Sequence, residues 1–430
     1  MQFVNLGTFK ENAHKQFNEM KDIHNNSTLS LHISTYEENS IETYSNEKNE
    51  FKAEKFKFNK SKTFFQESVK QFEIPRQQKD MKYEPEIMQF KASQSLINPN
   101  DNIFATKMKL EKQQTATLNL KPCSMTSFSH ANKEIFYGIA CYEQNSQNEY
   151  IGEIIITKSS DLSEVKKIPA NGGVFRIYSL PEENSIYAVT TSGDFMFINN
   201  ELFDTKIMSH PDQPYYTDGS VTSSLLATTD DKGNLHIFDR ATAKPLVKTR
   251  AHRLRKVGDL ECPAWSCSFL NDTSVVSVGD DGRMCLWDLR ESNLKESSFI
   301  QGVTDDGMVF VSLKHDHVIA VGDYAQNYCL FDLRSTDKKP MIIKEFPGGV
   351  WHVDSSLEIS RGLSAAACMQ GGVIVFDSST TNSGVDIVAH DSNSSLTYGV
   401  ALHEDSDGSI AVAEVEFDTK KLNKYLLLKE

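Results

Sequence analysis

The stretch Gly279-Asp280-Asp281-Gly282, followed by Met284–Arg290 (MCLWDLR), decides how this chain of 430 residues folds. A run of small and β-branched residues, Ser274–Val278, leads into the turn. Gly and Asp suit such a turn because Gly reaches positive φ and Asp bonds its own backbone. The apolar run after the turn predicts a strand that packs on both faces. The unit therefore predicts two strands joined by a tight turn.

The same unit recurs along the chain. Its other clear copies are Asp230–Gly233 before Leu235–Arg240, Gly322–Tyr324 before Tyr328–Arg334, and Met369–Gly372 before Val373–Asp377. The aromatic positions, spaced by 49, 44 and 45 residues, are Phe238, Trp287, Phe331 and Phe376. Fainter copies contain Phe197 and Ile155, and a seventh would occupy residues 396–430. Repeats of about 40–45 residues are typical of propeller blades, so the sequence predicts an all-β, seven-bladed WD-repeat β-propeller.

The aromatic and acidic residues of the unit have a structural explanation. The aromatic residue at the end of the apolar run wedges between blades, and the Asp after it caps the strand end. We therefore assign Trp287, Asp288, Asp280 and Asp323 to the fold.

Residues 1–110 differ from the rest, being rich in Asn, Lys, Gln, Glu and Ser. We predict a low-complexity, largely disordered N-terminal extension there, with short helices around 9–22 and 64–73, and the propeller over 111–430. The mixed Lys and Phe residues of Phe51–Phe65 suggest a docking arm for a protein partner. The alternative is a weakly constrained extension. A strand near Thr115–Leu120 is expected to complete the last blade, because that pairing leaves no exposed sheet edge.

The charge is concentrated in the propeller. The chain has a net charge of −14, and residues 1–110 hold 16 basic and 15 acidic residues, leaving 29 and 44 for the rest. A propeller with a net charge of −15 is a poor candidate for nucleic-acid binding, which depends on neutralising phosphates. It suits a basic protein partner, or is simply a solvated acidic surface.

Cysteine usage and hydropathy indicate the cellular compartment of the protein. The seven cysteines include no C-x-x-C pair, and several lie in apolar runs. This pattern predicts buried, reduced thiols in a cytosolic or nuclear protein. The N-terminus shows no signal-peptide pattern, and no run of 18 apolar residues occurs. The sequence therefore predicts no secretion signal and no membrane-spanning segment.

Generic catalytic motifs are absent from the sequence. It has no G-x-S-x-G, H-E-x-x-H, P-loop or G-x-G-x-x-G pattern. His315-Asp316-His317 resembles a metal motif but stands directly before an apolar run, so we predict a turn between two strands. We expect no metal and no cofactor.

The part between residues 250 and 400 is more specific than the repeat requires. Its motifs are, in order, Ala251-His252, Trp265, Gly279–Gly282, Trp287–Arg290, Gly348–Trp351 (GGVW), Ala366–Gly372 (AACMQGG), Ala389-His390 and Tyr398-Gly399. This order resembles the WD-repeat family of diphthine methyl esterases, often named diphthine methyltransferase. The G-G-V-W and A-C-M-x-G-G pieces are the specific ones.

The chain departs from the family pattern at four places. G-G-G-V-W-R, Y-G-A-D-W, H-x-M-G-V and S-F-Y-D read here as Pro347–His352 (PGGVWH), Tyr398–Leu402 (YGVAL), Thr304–Met308 (TDDGM) and Glu414–Asp418 (EVEFD). An Arg, an Asp, a Trp and a His of the pattern are therefore replaced.

The resemblance implies an enzyme of protein modification. Its activity would be hydrolysis of the methyl ester of methylated diphthine on elongation factor 2, which permits the final amidation to diphthamide. The family role is cytoplasmic. The alternative is a non-catalytic WD-repeat scaffold for protein–protein interaction: the replaced residues favour the scaffold, and the intact motif order favours the esterase.

Ester hydrolysis needs an activated water or nucleophile. We expect His252 or His390 to act as the base, with Asp281 to orient it. A His ahead of a WD blade commonly bonds a strand-end Asp, so a structural role for His252 is the alternative. Cys368 lies in an apolar run and is expected to be buried rather than nucleophilic.

The substrate also carries a quaternary ammonium, which aromatic faces bind. We expect Trp351 and Tyr398 to hold the trimethylammonium group. Gly348 and Gly349 would offer backbone donors for the oxyanion that develops on the ester carbonyl.

Overall fold

The structure is a computed structural model. It describes residues 40–47, 50–57 and 107–430, except 131, 256–257, 291–295, 303, 305, 316, 379–383 and 393–394. The N-terminal unit and the propeller form two separate compact units. The described part of the first unit is one antiparallel hairpin, Ser40–Glu47 with Glu50–Lys57.

Seven four-stranded antiparallel sheets make up the described propeller, and each is one blade with strands a to d. Blade 1 consists of Lys121–Ser129, Ile135–Gln144, Tyr150–Lys158 and Glu164–Ala170. Blade 2 consists of Val174–Leu180, Ser185–Thr190, Asp194–Asn199 and Thr205–Ser209. Blade 3 consists of Tyr216–Val221, Leu225–Asp230, Asn234–Asp239 and Pro245–Arg250. Blade 4 consists of Ala264–Asn271, Ser274–Gly279, Arg283–Asp288 and Glu296–Gln301. Blade 5 consists of Met308–His315, Val318–Asp323, Asn327–Asp332 and Ile342–Glu345. Blade 6 consists of His352–Asp354, Leu363–Ala367, Val373–Asp377 and Asp386–Asp391. Blade 7 consists of Thr397–Glu404, Ile410–Glu416, Lys421–Lys429 and, as strand d, Met108–Thr117.

Short elements decorate the loops. The described helices are the 3₁₀ turn Pro181–Glu183 and the single α-turn Glu358–Arg361, and a two-residue ribbon pairs Arg253–Leu254 with Leu260–Glu261. No helix within the described residues is long and apolar enough to span a membrane.

The prediction of a seven-bladed propeller closed by an N-terminal strand is confirmed. Met108–Thr117 pairs antiparallel with Lys421–Lys429. The strand lies earlier than the expected Thr115–Leu120 and begins three residues before the boundary expected at residue 111. Its odd-numbered residues are exposed and most of its even-numbered residues are partly buried. This alternation is typical of a strand with one face to solvent.

The repeat positions found in the sequence all fall on strand c. Phe238, Trp287 and Phe331 are each less than 5% exposed. Tyr425 of blade 7 is the equivalent of Trp287 of blade 4, because both lie at the same place on strand c relative to the end of strand b. Burial of one such side chain contributes roughly 1.5–3 kcal/mol.

The core lies between blades rather than within them. Val278 of blade 4 packs with Ile319 of blade 5 in one cluster. Val415 of blade 7 packs with Tyr137 of blade 1 in another, so the closing blade shares a core with the first. Each blade therefore depends on its neighbours for the burial of its apolar faces.

The turn that decided the fold is held by His252. Its ring lies against Gly279, where a Cβ would stand 2.7 Å from His252 Cγ, so only Gly fits there. Gly282 has φ of 65°, a conformation that favours Gly. The imidazole bonds Asp281 Oδ1 and Ser277 Oγ, each at 2.8 Å, and Trp287 Nε1 donates to the same Ser277 Oγ at 3.0 Å.

Other predictions have mixed outcomes. All seven cysteines are buried, as expected. His315 pairs with Val318 across the predicted turn. The helices predicted around 9–22 and 64–73 lie outside the described residues, as does most of the extension 1–110. The hairpin of Ser40–Glu47 and Glu50–Lys57 was not predicted, because its Lys- and Glu-rich sequence was assigned to the low-complexity extension.

Removing the closing strand should destabilise the propeller. A chain beginning at Leu118 loses Met108 and Leu110, which pack near Leu427, and leaves the strand Lys421–Lys429 as an open edge. We expect its unfolding temperature, measured by circular dichroism, to fall by about 10 °C or more. A chain beginning at Lys107 is the matched control. Equal unfolding temperatures for the two chains would contradict this role for the strand.

Candidate functional site

Strand a of the blades is irregular at one equivalent position. In six blades the pairing with strand b shifts register there, and in blade 6 the equivalent residue donates its backbone N–H to Ala367 O at 3.0 Å just before the strand begins. A bulge redirects a side chain that regular pairing would place elsewhere. We call the residues at this position the collar: Cys123, Phe175, Thr217, Trp265, Val309, Trp351 and Tyr398.

The aromatic members of the collar meet in the middle of the ring of blades. The Trp351 ring centroid lies 4.8 Å from that of Tyr398, 5.5 Å from that of Trp265 and 6.4 Å from that of Phe175. These four residues come from blades 6, 7, 4 and 2, so their contacts cross the central channel. All four are less than 5% exposed. The aromatic side chains therefore close the channel at this level.

More polar groups lie beside the collar on the b–c turns. The Tyr324 ring is 6.4 Å from Trp351, and Asp280 Oδ1 accepts a hydrogen bond from Trp265 Nε1 at 2.5 Å. Gly307 lies between the two, since a Cβ there would be 2.7 Å from Asp280 Oδ1 and 3.2 Å from Tyr324 Cδ2. Tyr324 and Asp280 are both partly exposed, so the collar has a carboxylate and a phenol at its rim.

The Asp280 carboxyl is electrostatically unusual. Burial raises the pKa of Asp280 to about 7, the hydrogen bond from Trp265 opposes the rise, and the charge of Asp281 adds to it. A carboxyl with a pKa near neutrality can hold or release a proton under physiological conditions. Asp280 is thus a candidate acid or base next to an aromatic surface.

Asp281 faces the opposite way. Burial raises its pKa, but the hydrogen bond and charge of His252 outweigh this, together with backbone N–H groups of Arg253 and Arg283, and lower the pKa of Asp281 below its usual range. Its carboxylate is bound to His252, Arg253 and Arg255. Asp281 therefore holds the turn while Asp280 faces the collar.

The structure brings two of the expected site residues together. Trp351 and Tyr398, expected to bind the trimethylammonium group, are neighbours in the collar. Gly348 and Gly349 lie in the loop that leads to Trp351. A Cβ on Gly348 would meet the backbone Cys368 O at 2.0 Å, so close packing already requires glycine there, whereas one on Gly349 would meet the flexible Met369 side chain, at Sδ, at 2.7 Å.

The two expected histidines lie outside this group. His252 is fully buried, and both of its ring nitrogens bond within blade 4. His390 is exposed on strand d of blade 6, where its Nε2 lies 2.8 Å from Gly371 O. Cys368 is fully buried, and burial raises the pKa of its thiol well above the usual range.

Sequence reasoning did not include Asp280, Phe175, Trp265 and Tyr324 among the candidate site residues, although the structure places them in or beside the collar. Asp280 was assigned to the fold, although the tandem Asp280-Asp281 was itself a signal. One Asp suffices for the turn, and the side chain of its neighbour points elsewhere. Phe175 carried no signal, and Trp265 stood in the motif order without an assigned role, because the register shift that redirects both side chains depends on strand pairing.

Replacing Asp280 should change stability in a pH-dependent way. A raised pKa means that the folded protein binds the Asp280 proton more tightly than the unfolded chain does, so the wild type loses stability between about pH 4 and about pH 7. Asn does not titrate. We expect the free energy of unfolding of Asp280→Asn, relative to wild type, to increase by about 1–3 kcal/mol from pH 5 to pH 8 in urea melts.

The adjacent residue is the control for that experiment. Asp281 has a lowered pKa, so its stabilising contribution is complete above the usual carboxyl range and is lost only in stronger acid. Asp281→Asn should therefore be less stable than wild type at both pH 5 and pH 8, by nearly the same amount. A flat pH profile for the Asp280→Asn difference would contradict the raised pKa.

Comparisons with known proteins give two curated relatives. The chain is 26% identical over 186 residues to the human diphthine methyltransferase, covering 40% of this chain and 38% of the human protein. It is 28% identical over 164 residues to the diphthine methyltransferase homolog of Dictyostelium discoideum, covering 35% of this chain and 43% of that protein. The matches thus span about two-fifths of each relative's length. No family model matches the chain.

The family expected from the motifs agrees with these relatives. The order of motifs between residues 250 and 400 pointed to one family, and both curated relatives carry its name. The modest identity fits the four departures from the family pattern. The chain is therefore similar, over about two-fifths of their length, to two proteins named for diphthine methyltransferase.

Proposed function

We propose that this protein hydrolyses the methyl ester of methylated diphthine on elongation factor 2, a step in diphthamide biosynthesis. The observation that carries the proposal is the aromatic collar with a carboxylate at its rim. Its relatives are named for a diphthine-directed enzyme. The aromatic residues of the collar offer the ring faces that a trimethylammonium group binds.

The cation would bind to the rim side of the collar. Quaternary ammonium groups bind to aromatic faces, and Trp gives the strongest attraction. Trp351 and Trp265 stand 5.5 Å apart at 62° to one another, and Tyr398 extends the surface. The ionised form of Asp280 adds a negative charge beside them. Each contact would contribute about 0.5–2 kcal/mol.

Asp280 would then act as the general base. Its carboxylate takes a proton from water, the resulting hydroxide adds to the ester carbonyl, and the tetrahedral intermediate expels methanol, which recovers that proton. The products are methanol and the diphthine carboxylic acid, which ionises to the carboxylate by losing a proton to solvent. A base with a pKa of about 7 is matched to this task at neutral pH. Gly348 and Gly349 remain our proposal for the backbone donors to the oxyanion.

The histidines are the competing bases. His252 would have to give up the bonds to Asp281 and Ser277 that hold the blade 4 turn. His390 is accessible but lies on an outer strand, bonded to Gly371 O. The geometry favours Asp280 because it contacts a collar residue directly.

The protein substrate would be recognised by more than its modified side chain. The propeller's excess of acidic residues suits a basic surface on elongation factor 2. Because elongation factor 2 acts in translation, we place the reaction in the cytoplasm.

The deciding assay mixes the purified full chain with methylated-diphthine elongation factor 2. Mass spectrometry of the modified peptide should show conversion of the methyl ester to the acid. No conversion, under conditions where the human relative converts the same sample, would leave the alternative of a non-catalytic scaffold. Binding of the factor without conversion would support that alternative.

Asp280→Asn should lower the rate of demethylation by about 10²–10⁴-fold, the usual contribution of a general base. In the wild type, kcat/KM should rise with pH and level off above about pH 7, because the ionised carboxylate is the active form. His252→Gln and His390→Gln are the comparison variants. Loss of activity in folded His390→Gln with an active Asp280→Asn would reverse the assignment.

Trp351→Leu should raise KM for the methylated substrate by about tenfold or more, because an aliphatic side chain has no aromatic face for the cation. Trp351→Phe should have a smaller effect. Trp287→Phe is the matched control: it alters a buried Trp of blade 4 and should lower the unfolding temperature without changing KM. An unchanged KM in Trp351→Leu would exclude the collar as the cation site.

A further inference from the structure

Arg176 lies inside the channel, beneath the collar. It follows Phe175 on strand a of blade 2 and is only 1% exposed. Its Cζ lies 4.8 Å from the Trp351 ring centroid, and Nη2 donates to Trp351 O at 3.3 Å. Blades 2 and 6 are not adjacent in the ring, so this guanidinium reaches across the channel to the ring proposed to bind the cation.

The guanidinium charge has no direct counter-ion within the described residues. Its Nε and Nη1 are buried without a hydrogen-bond partner there. The charge of Arg176 lowers the pKa of the buried Asp218, but no hydrogen bond joins the two in the described chain, and the Asp218 carboxylate is already bound to Tyr178 Oη at 2.7 Å and Ser266 Oγ at 2.5 Å. An uncompensated buried charge is costly, so buried charges are normally paired. Arg176 therefore has the character of one half of an ion pair.

Further donors without partners surround this position. Trp351 Nε1, Tyr398 Oη and His352 Nδ1 are also buried and unbonded among the described residues. Arg176 influences both His352 and Tyr398 electrostatically. Burial, with the charge of Arg176, lowers the pKa of His352 to about 3, so its ring is neutral near pH 7. A cation with neutral polar groups around it is chemically suited to an anion.

We propose that Arg176 forms a carboxylate-binding subsite that receives the acyl oxygens of an α-trimethylammonio ester and of its carboxylate product. This proposal rests on the proposed function and extends it from the cation to the acyl group. In such a ligand one carbon bears both the quaternary nitrogen and the acyl carbon. Trp351 contacts both halves of the site, since its ring belongs to the collar and lies over the guanidinium.

Rotation of the Trp351 side chain would open the collar to such an acyl group. Trp265 is tethered by its hydrogen bond to Asp280. The indole N–H of Trp351 and the hydroxyl of Tyr398 have no such tether in the described chain. The ring positions of these two residues rest on packing alone, so a rotation of Trp351 breaks no side-chain hydrogen bond. The acyl oxygens then reach the free N–H groups of Arg176.

The test is the binding of three small probes to the full chain by calorimetry. Trimethylglycine has the cation and the carboxylate, its methyl ester has the cation and a neutral acyl group, and tetramethylammonium has the cation alone. We expect the wild type to bind trimethylglycine about tenfold or more tightly than tetramethylammonium, because charge-assisted bonds to Arg are strong. The methyl ester should fall between them.

Arg176→Gln should remove the preference for trimethylglycine, and it should not weaken tetramethylammonium binding, because it removes a positive charge beside the ring proposed to bind the cation. Arg176→Lys keeps the charge without the fork and should retain part of the preference. Arg334→Gln, which changes an exposed Arg, is the control and should bind all three probes as wild type does. A preference that persists in folded Arg176→Gln overturns the proposal. Equal binding of the three probes to the wild type overturns it without any variant.

The outcomes also separate this subsite from the proposed reaction. If trimethylglycine binding depends on Arg176 but the methylated factor is not demethylated, the subsite stands and the esterase function fails. If Arg176→Gln demethylates the factor with an unchanged KM and kcat, the function stands and the subsite fails.

Discussion

The pairing of Met108–Thr117 with Lys421–Lys429 is the constraint on which the rest of this structure depends. A propeller blade buries its faces only against its neighbours, so a ring with one open blade would leave two apolar faces uncovered. The closing strand brings residues from both ends of the propeller into one sheet. The last blade then shares a core with the first, and the strands a are held around one axis.

That axis is what makes a site possible. Each strand a contributes one collar residue, and only ring closure brings those of blades 2, 4, 6 and 7 into contact. The same geometry explains the opposite behaviour of Asp280 and Asp281. One carboxylate faces the blade and is bound by a histidine, which lowers its pKa. The other faces the channel, where burial raises its pKa.

The repeat could be predicted from the sequence because it is local. Gly and Asp at the turns, followed by an apolar strand with an aromatic residue about every 40–50 residues, marked strand c of the clearest blades, and the fainter copies followed from the period. The neighbouring pair Trp351 and Tyr398, which we propose for the cation, could also be selected from the sequence, since both stand in motifs that the repeat does not need. The polar residues beside the aromatic collar could not be predicted from the sequence. Arg176 lies in one of the faintest units, and its contact with Trp351 joins residues that only the closed ring brings together. The Arg that follows this Trp in the family pattern is His352 here, and a guanidinium reaches the same ring from another blade.

The collar also determines how such a site can change. Its seven positions belong to seven separate sheets, and each is occupied by a residue that the regular ladder bypasses. A mutation at one position alters one wall of the channel and leaves the hydrogen-bonded pairs of its blade intact. Ligand preference can therefore drift one side chain at a time, while the stability of the ring is governed by other residues. A lineage of such propellers could keep its architecture and exchange its chemistry, and a chain that is only 26% identical to a relative over the 186 residues that align is where such exchanges would accumulate.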